Sequence, residues 1–341
     1  MSKEDNILKI DEVRKLIKEY KRAELETVAE ALYKMLTKAQ KLDNNIAELL
    51  QNPDKKLVGN KAKKSEQQRP FAEVKAETLW FVDNAYKQNF FAPNRIVPKK
   101  DRPKWRFLAK NLYKELIAYS REDPYKNEAA ELLEKIYVML CYSCDYILFS
   151  AYDSFESVGV PQTAFFEETL KALNSTCEKD IMIDKAIDLI VNNALNRYTL
   201  YKELMDILIG QLETVDMKYL LIEKCQLKRK TLTSKKPEAN KFSSNYNFET
   251  LLNNLTTLIF KANAALFETT NGINDFMMHF INSDPEIKLY ILINLLLGFN
   301  EKDLIVQLIE DAKKNNVELR KSLLDLLEFI KTNNALPANS R

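Results

Sequence analysis

The side chains best placed to do chemistry are few. Cys141 and Cys144 stand in the run Cys-Tyr-Ser-Cys, a spacing used by dithiol redox centres. They fall among Leu140, Ile147 and Leu148 in the middle of an expected helix, away from a helix N-terminus that would depress a thiol pKa. Core packing is therefore their expected role. Cys177 and Cys225 stand apart. His279 is the only histidine and sits between Met278 and Phe280. A Ser-His-Asp or Cys-His nucleophile system would have to use it, and no partner motif accompanies it. A packed or capping imidazole is expected. Zinc sites assemble several Cys and His ligands, which this composition supplies poorly. Glu131, Glu134, Glu167 and Glu168 recur at helical spacing, but without the Glu-x-x-His pairs of a carboxylate-bridged metal centre. They read as a solvated acidic face. No two of the five glycines lie close enough for a phosphate-cradling loop, which argues against P-loop and dinucleotide-binding enzymes. No catalytic residue, cofactor or metal is assigned. Asp145 differs from the other acids. It lies in an apolar stretch between Cys144 and Tyr146, where a charge is costly unless paired. It is expected to be buried, bonded to a tyrosine or paired with a base from a neighbouring helix.

The cations carry the other candidate chemistry. Between Asn89 and Leu116 three prolines, Pro93, Pro98 and Pro103, hold a stiff loop out of helix. Asp101 as N-cap, with Pro103 in the first turn, suits a helix start. That helix carries Trp105, Phe107, Leu108, Leu112 and Leu116 on one apolar face. Trp105 stands between Lys104 and Arg106. It either stacks a nucleobase while the cations hold phosphates, or anchors its helix in the core. Arg95, Lys99, Lys100, Arg102, Lys104, Trp105 and Arg106 form the candidate binding set, and Lys228, Arg229 and Lys230 form a second cluster. The segments 53–70, 93–110 and 224–241 carry net charges of +4, +6 and +6, which leaves −14 on the rest of a chain of net +2. Cationic segments on an anionic body suit nucleic acid or an acidic protein face. Solubilising lysine loops are the plainer reading.

These side chains need elements to position them, and those elements read as helices. Few glycines, with abundant Leu, Ile, Lys and Glu, disfavour sheet. Helical spacing predicts elements over 11–42, with a break near Arg22, then 44–50, 72–90, 103–119, 124–152, 161–174, 179–196, 199–213 and 215–226. Further helices are expected at 246–268, 272–282, 285–298, 301–314 and 317–332. Short connections imply antiparallel neighbours. The expected organisation is an N-terminal helical segment 1–52, a basic linker or loop 53–70, a central helical domain 71–226, a basic loop 227–243 and a C-terminal helical domain 244–335. The charged start lacks a signal peptide's apolar core, and no apolar run reaches the roughly 18 residues a membrane span needs. A protein of the reducing cytoplasm, with no membrane partner, is expected, since four cysteines in 341 residues form no disulfide framework.

A triplet of Glu, aliphatic and Lys/Arg is expected to open four helices, at Glu12, Glu73, Glu286 and Glu318. The last two, within Asp284-Pro285-Glu286-Ile287-Lys288 and Val317-Glu318-Leu319-Arg320, lie 32 residues apart. Residues 284–332 resemble the inner helices of HEAT-type repeats, a kin of the armadillo fold. The resemblance implies antiparallel helix pairs stacked into an irregular α-α superhelix. Two packed helical bundles are the alternative, and the fold class is all-α in either case. Three functions follow as expectations. The first is a non-catalytic scaffold that presents a concave surface to a protein partner. The second is a nucleic-acid binder using the three basic segments. The third is a nucleic-acid-modifying enzyme, because alkylpurine DNA glycosylases are also built of HEAT-like helices; no motif allows their catalytic residues to be carried over.

Overall fold

A computed structural model of the chain describes residues 10–43, 46–51, 69–234 and 242–337. Among them every regular element is helical, so the protein is all-α. The chain divides into two units, Met1–Arg69 and Pro70–Arg341. Most of the basic linker expected at 53–70 lies outside the described residues, as does the end of the tail beyond residue 337.

The first unit holds α1 (Ile10–Glu19), α2 (Arg22–Met35), α3 (Lys38–Asp43) and α4 (Ile46–Gln51). The helix expected over 11–42 is thus broken twice, and local capping explains both breaks. The Lys21 backbone N–H donates to Glu24 Oε2 at 2.7 Å. Thr37 and Gln40 form a reciprocal capping box, with Gln40 N on Thr37 Oγ1 at 3.2 Å and Thr37 N on Gln40 Oε1 at 2.9 Å.

The second unit begins with α5 (Phe71–Tyr86). A 3-10 turn (Arg102–Lys104) leads into α6 (Trp105–Tyr119). There follow α7 (Lys126–Asp145), the short α8 (Ser154–Val158), α9 (Gln162–Thr176), α10 (Lys179–Val191) and α11 (Tyr201–Gln211). The unit closes with α12 (Val215–Ser234), α13 (Phe242–Ala265), α14 (Thr269–His279), α15 (Pro285–Gly298), α16 (Lys302–Lys314) and α17 (Lys321–Asn333). Each of these helices packs chiefly on those one or two places along the chain.

Three departures from the expected elements stand out. The helix foreseen over 124–152 stops at Asp145, where Tyr146 turns extended. Asp153 then caps a new short helix by accepting from Glu156 N at 2.9 Å, and Gly159 ends it at φ 69°, a left-handed conformation that glycine enters without strain. The basic loop expected over 227–243 is helix as far as Ser234; residues 235–241 lie outside the described set. The last helix starts at Lys321, so Glu318-Leu319-Arg320 precedes its element instead of opening it. Arg320 is held there by Glu286 of α15, which accepts from its Nε and Nη2 at 2.6 Å each and from its backbone N–H at 3.3 Å.

The interior of the second unit is two apolar clusters. The larger runs from Phe71 to Ala262 and includes Phe81, Tyr137, Phe155, Phe165 and Phe166, all with negligible exposure. The smaller gathers Phe260, Phe276, Leu292, Leu296, Ile305 and Ile309. Helix α13 serves both: Leu258 and Ile259 face the first, and Phe260 faces the second. The ranges 71–226 and 244–335, expected as separate domains, fall in this one unit.

Candidate functional site

The proline loop is held by side chains as well as by its prolines. Asn94 Oδ1 accepts from Ile96 N at 2.9 Å and Val97 N at 2.7 Å, an Asx-type turn. Its Nδ2 donates to Asn89 O at 2.6 Å. Arg102 donates to Val97 O at 3.1 Å and Asn94 O at 3.2 Å, so this candidate ligand clamps its own loop. Asp101 heads the 3-10 turn but makes no side-chain cap; it accepts from Lys104 Nζ at 2.7 Å, and that bond lowers its carboxyl below the ordinary value. Trp105 is 3% exposed and stacks on Phe149 with ring centroids 3.9 Å apart. The packing reading holds for it, and a base has no access to either face.

What remains outside is a smaller patch. Arg95, Lys99, Lys100 and Arg106 are exposed and make no ion pair among the described residues. Ile96 and Phe107, next to Arg95 and Arg106 in sequence, are each 58% exposed, and the Arg106 guanidinium sits over the Phe107 ring at 5.0 Å. Sequence spacing assigned Phe107 to the apolar face of α6. Helical period alone does not separate it from Leu108, which packs against the core.

The second cationic cluster is largely neutralised. Lys224 pairs with Asp180 and Asp184 of α10, each at 2.7 Å, and Lys228 pairs with Asp188. The acids and lysines share a four-residue spacing, so α10 and α12 zip together along facing rows. Arg229 is buried and grips Asp275 of α14 in a two-pronged bond of 2.6 and 2.7 Å, with a third bond to Thr256 at 3.2 Å. Lys230 alone of the three named residues projects freely. Lys235, Lys236 and Lys241 lie outside the described residues.

Asp145 departs from its expected burial. It is exposed, because α7 ends at this residue and its side chain clears the layer. Leu140 and Cys141 are buried one turn earlier, while Tyr142, Tyr146 and Ile147 are 40%, 57% and 61% exposed. The Cys-Tyr-Ser-Cys run is consequently split between core and surface. Cys141 is fully buried and its Sγ accepts from Gln162 Nε2 at 3.3 Å. Burial pushes the Cys141 thiol far up, and Cys144 to about 12, so neither supplies a thiolate near neutral pH. His279 is exposed in the last turn of α14, with its Nε2 3.8 Å from Asp275 Oδ1. Among the described residues no group of three or more His, Cys, Asp or Glu could hold a metal. None of the described helices is long and apolar enough to cross a membrane.

One exposed aromatic surface emerges. Tyr86 at the end of α5 meets Tyr142 of α7 edge to face at 5.4 Å, and Tyr142 stacks on Tyr146 at 4.4 Å. Tyr86 is 44% exposed. Burial, followed by the neighbouring Tyr142, raises the pKa of the Tyr86 phenol. Gln88, at φ 58°, reaches Ile147 O with its Nε2 at 2.9 Å and fixes the segment after α7 against the end of α5. The aromatic rings around this helix end sort by burial. Phe149 and Phe155 went to the core, and the tyrosines went to the surface.

A cleft of about 500 Å³ lies between the start of α9 and the start of α11. Its buried Gln162 already donates to Ala194 O at 3.0 Å and accepts from Asn196 N at 2.8 Å. Asn196 in turn accepts from Thr199 N at 2.9 Å. The polar wall is thus engaged within the protein.

No protein-family model matches this chain, and no curated protein or solved structure matches it either.

Proposed function

We propose that this protein is a helical scaffold that binds a protein partner through the exposed tyrosine ladder of α5 and α7. The carrying observation is the ladder itself: Tyr86, Tyr142 and Tyr146 in ring contact, each 40–57% exposed, with Ile147 61% exposed beside them. Tyrosine is enriched at interfaces because it offers a broad apolar ring at low entropic cost with a hydroxyl for the polar rim. The Gln88 bond and the ring contacts hold this surface in shape before any partner arrives, which lowers the ordering cost of binding. A photo-crosslinking amino acid at Ile147 in the source cell tests this. The expected result is one reproducible protein adduct, lost when Tyr142 and Tyr146 become Ala. A yield no higher than that from an equally exposed position on α17 overturns it.

A second reading is favoured by the exposed cations Arg95, Lys99, Lys100 and Arg106, the last of them over the exposed Phe107 ring, which suit single-stranded nucleic acid: backbone to the cations, a base on the ring. Neutralisation of Lys224, Lys228 and Arg229 within the fold weakens the three-segment version of this reading. Its test is affinity against salt. Replacing Lys99, Lys100 and Arg106 by Ala should lower the slope of log affinity on log salt by about one per lost phosphate contact. No binding at low salt ends the reading.

A further inference from the structure

The cleft of about 500 Å³ between the starts of α9 and α11 is fixed at its floor and loosely tied at its rim. At the floor, Gln162 and Asn196 are buried and bonded to backbone groups, so the cleft keeps its shape without an occupant. At the rim, Arg197 bridges two lining side chains from different elements. Its Nη2 donates to Glu156 Oε2 of α8 at 3.5 Å and to the hydroxyl of Tyr198, which precedes α11. Its guanidinium also lies 4.6 Å from the ring centroids of both Tyr152 and Tyr198. Those rings are well exposed, Tyr152 at 86% and Tyr198 at 61%. The arrangement is a cation held by two tyrosine rings and one carboxylate, and the cation is the chain's own.

The bridge is weak. The Arg197 and Glu156 side chains are 47% and 58% exposed, so water screens the pair, and cation–π contacts at exposed rings add little. A ligand with the same chemistry displaces Arg197 at small cost and gains the cleft beside it. The lining says what else that ligand carries. Phe155, Val160 and Pro161 supply apolar wall, and the lining residues with a formal charge are both acids, Glu156 and Glu203. Glu203 spends one oxygen, Oε2, on Leu200 N at 2.9 Å. Lys110 reaches the Gly159 carbonyl at 3.5 Å but is not itself part of the lining. The volume falls within the range of small-ligand sites, roughly 300–1,000 Å³. We infer that the cleft binds a guanidinium or alkylammonium group on an apolar stem, and that Arg197 holds the site closed by occupying it. The cation belongs either to an arginine or lysine side chain of a peptide or to a free small molecule. This inference is independent of the tyrosine ladder and stands or falls without it.

Chemical-shift titration of the full chain with Nα-acetylarginine amide tests the site. Nα-acetylcitrulline amide, which has nearly the same shape without the charge, is the control. The expected result is saturable shifts at the Gly159, Thr163 and Thr199 amides with the arginine probe and none with the citrulline probe. Glu156→Gln should weaken the arginine probe about three- to fivefold. Arg197→Ala should tighten it about three- to tenfold, because the internal competitor is gone. A purely structural Arg197 gives the opposite sign or no change. Three outcomes overturn the proposal: equal binding of the uncharged probe, no saturation in either wild type or Arg197→Ala, or an Arg197→Ala variant that binds no tighter than wild type. Arg197→Gln repeats the measurement if Arg197→Ala loses its dispersed amide spectrum. A doubly capped Ala-Arg-Ala peptide separates the two sources. Affinity at or above that of the single residue assigns the site to a peptide side chain, and lower affinity assigns it to a free cation.

Discussion

Arg229 shows how residue type misleads when neighbours are unknown. In sequence it is the centre of a basic triplet, Lys228-Arg229-Lys230. In the fold it is 8% exposed, bound to Asp275 and Thr256. A buried pair is dangerous to halve: the remaining charge keeps its desolvation cost and loses its compensation. Arg229→Ala should therefore destabilise the second unit by about 3–5 kcal/mol, read as a lower urea midpoint with unchanged slope. Arg229→Lys should recover only part of this, since a single ammonium cannot reproduce the two-pronged contact. Nothing in the local sequence separates Arg229 from Lys230, because Asp275 lies 46 residues away. Asp145 failed in the opposite sense. An apolar run around a carboxylate signals burial only if the helix continues, and α7 ends at that residue.

At the scale of elements, the helical pattern was legible and the terminations were less so. The start of α15 was readable from Asp284-Pro285, and Asp284 does accept from Glu286 N at 2.8 Å. The end of α12 was not readable, because a run of lysines looks like a loop when its acidic partners sit on another helix. Helix α6 gives a direct test of sorting by face. Trp105→Ala should cost about 3–5 kcal/mol by cavity formation, whereas Phe107→Ala should stay within about 0.5 kcal/mol. Thermal denaturation of the two variants reads the contrast, and equal effects would mean that the face was misassigned. The join between α15 and α17 gives a pH test. Hydrogen bonds from Arg320 hold the Glu286 carboxyl below its ordinary 4.5, against an opposing contribution from burial. A carboxyl depressed in the folded state stabilises it above the unfolded-state pKa, and that contribution is lost as pH falls from there through the depressed value. The urea midpoint of the wild type should thus hold from neutrality to about pH 4.5 and then decline more steeply than that of Glu286→Gln, which lacks the titration.

Over the whole molecule, the all-α class followed from composition, because few glycines and helical spacing leave little room for sheet. The number of cores did not follow. The lysine-rich stretch before α13 resembles a domain boundary, yet α13 puts adjacent residues into both clusters. The two clusters should therefore melt together. Leu292→Ala, placed in the smaller cluster, should cost about 2–5 kcal/mol and lower a single calorimetric transition of the second unit. Separation into two transitions would mean that α13 does not couple them. The shared helix also bears on what happens if the backbone is severed between α12 and α13. The downstream fragment would keep Phe260 and its companions but carry Leu255, Leu258, Ile259 and Ala262 as a bare greasy flank. The upstream fragment would carry the matching vacancy. Neither half is expected to persist alone, and mixing the two should reconstitute the parent, as with a split reporter whose seam runs along a single rod.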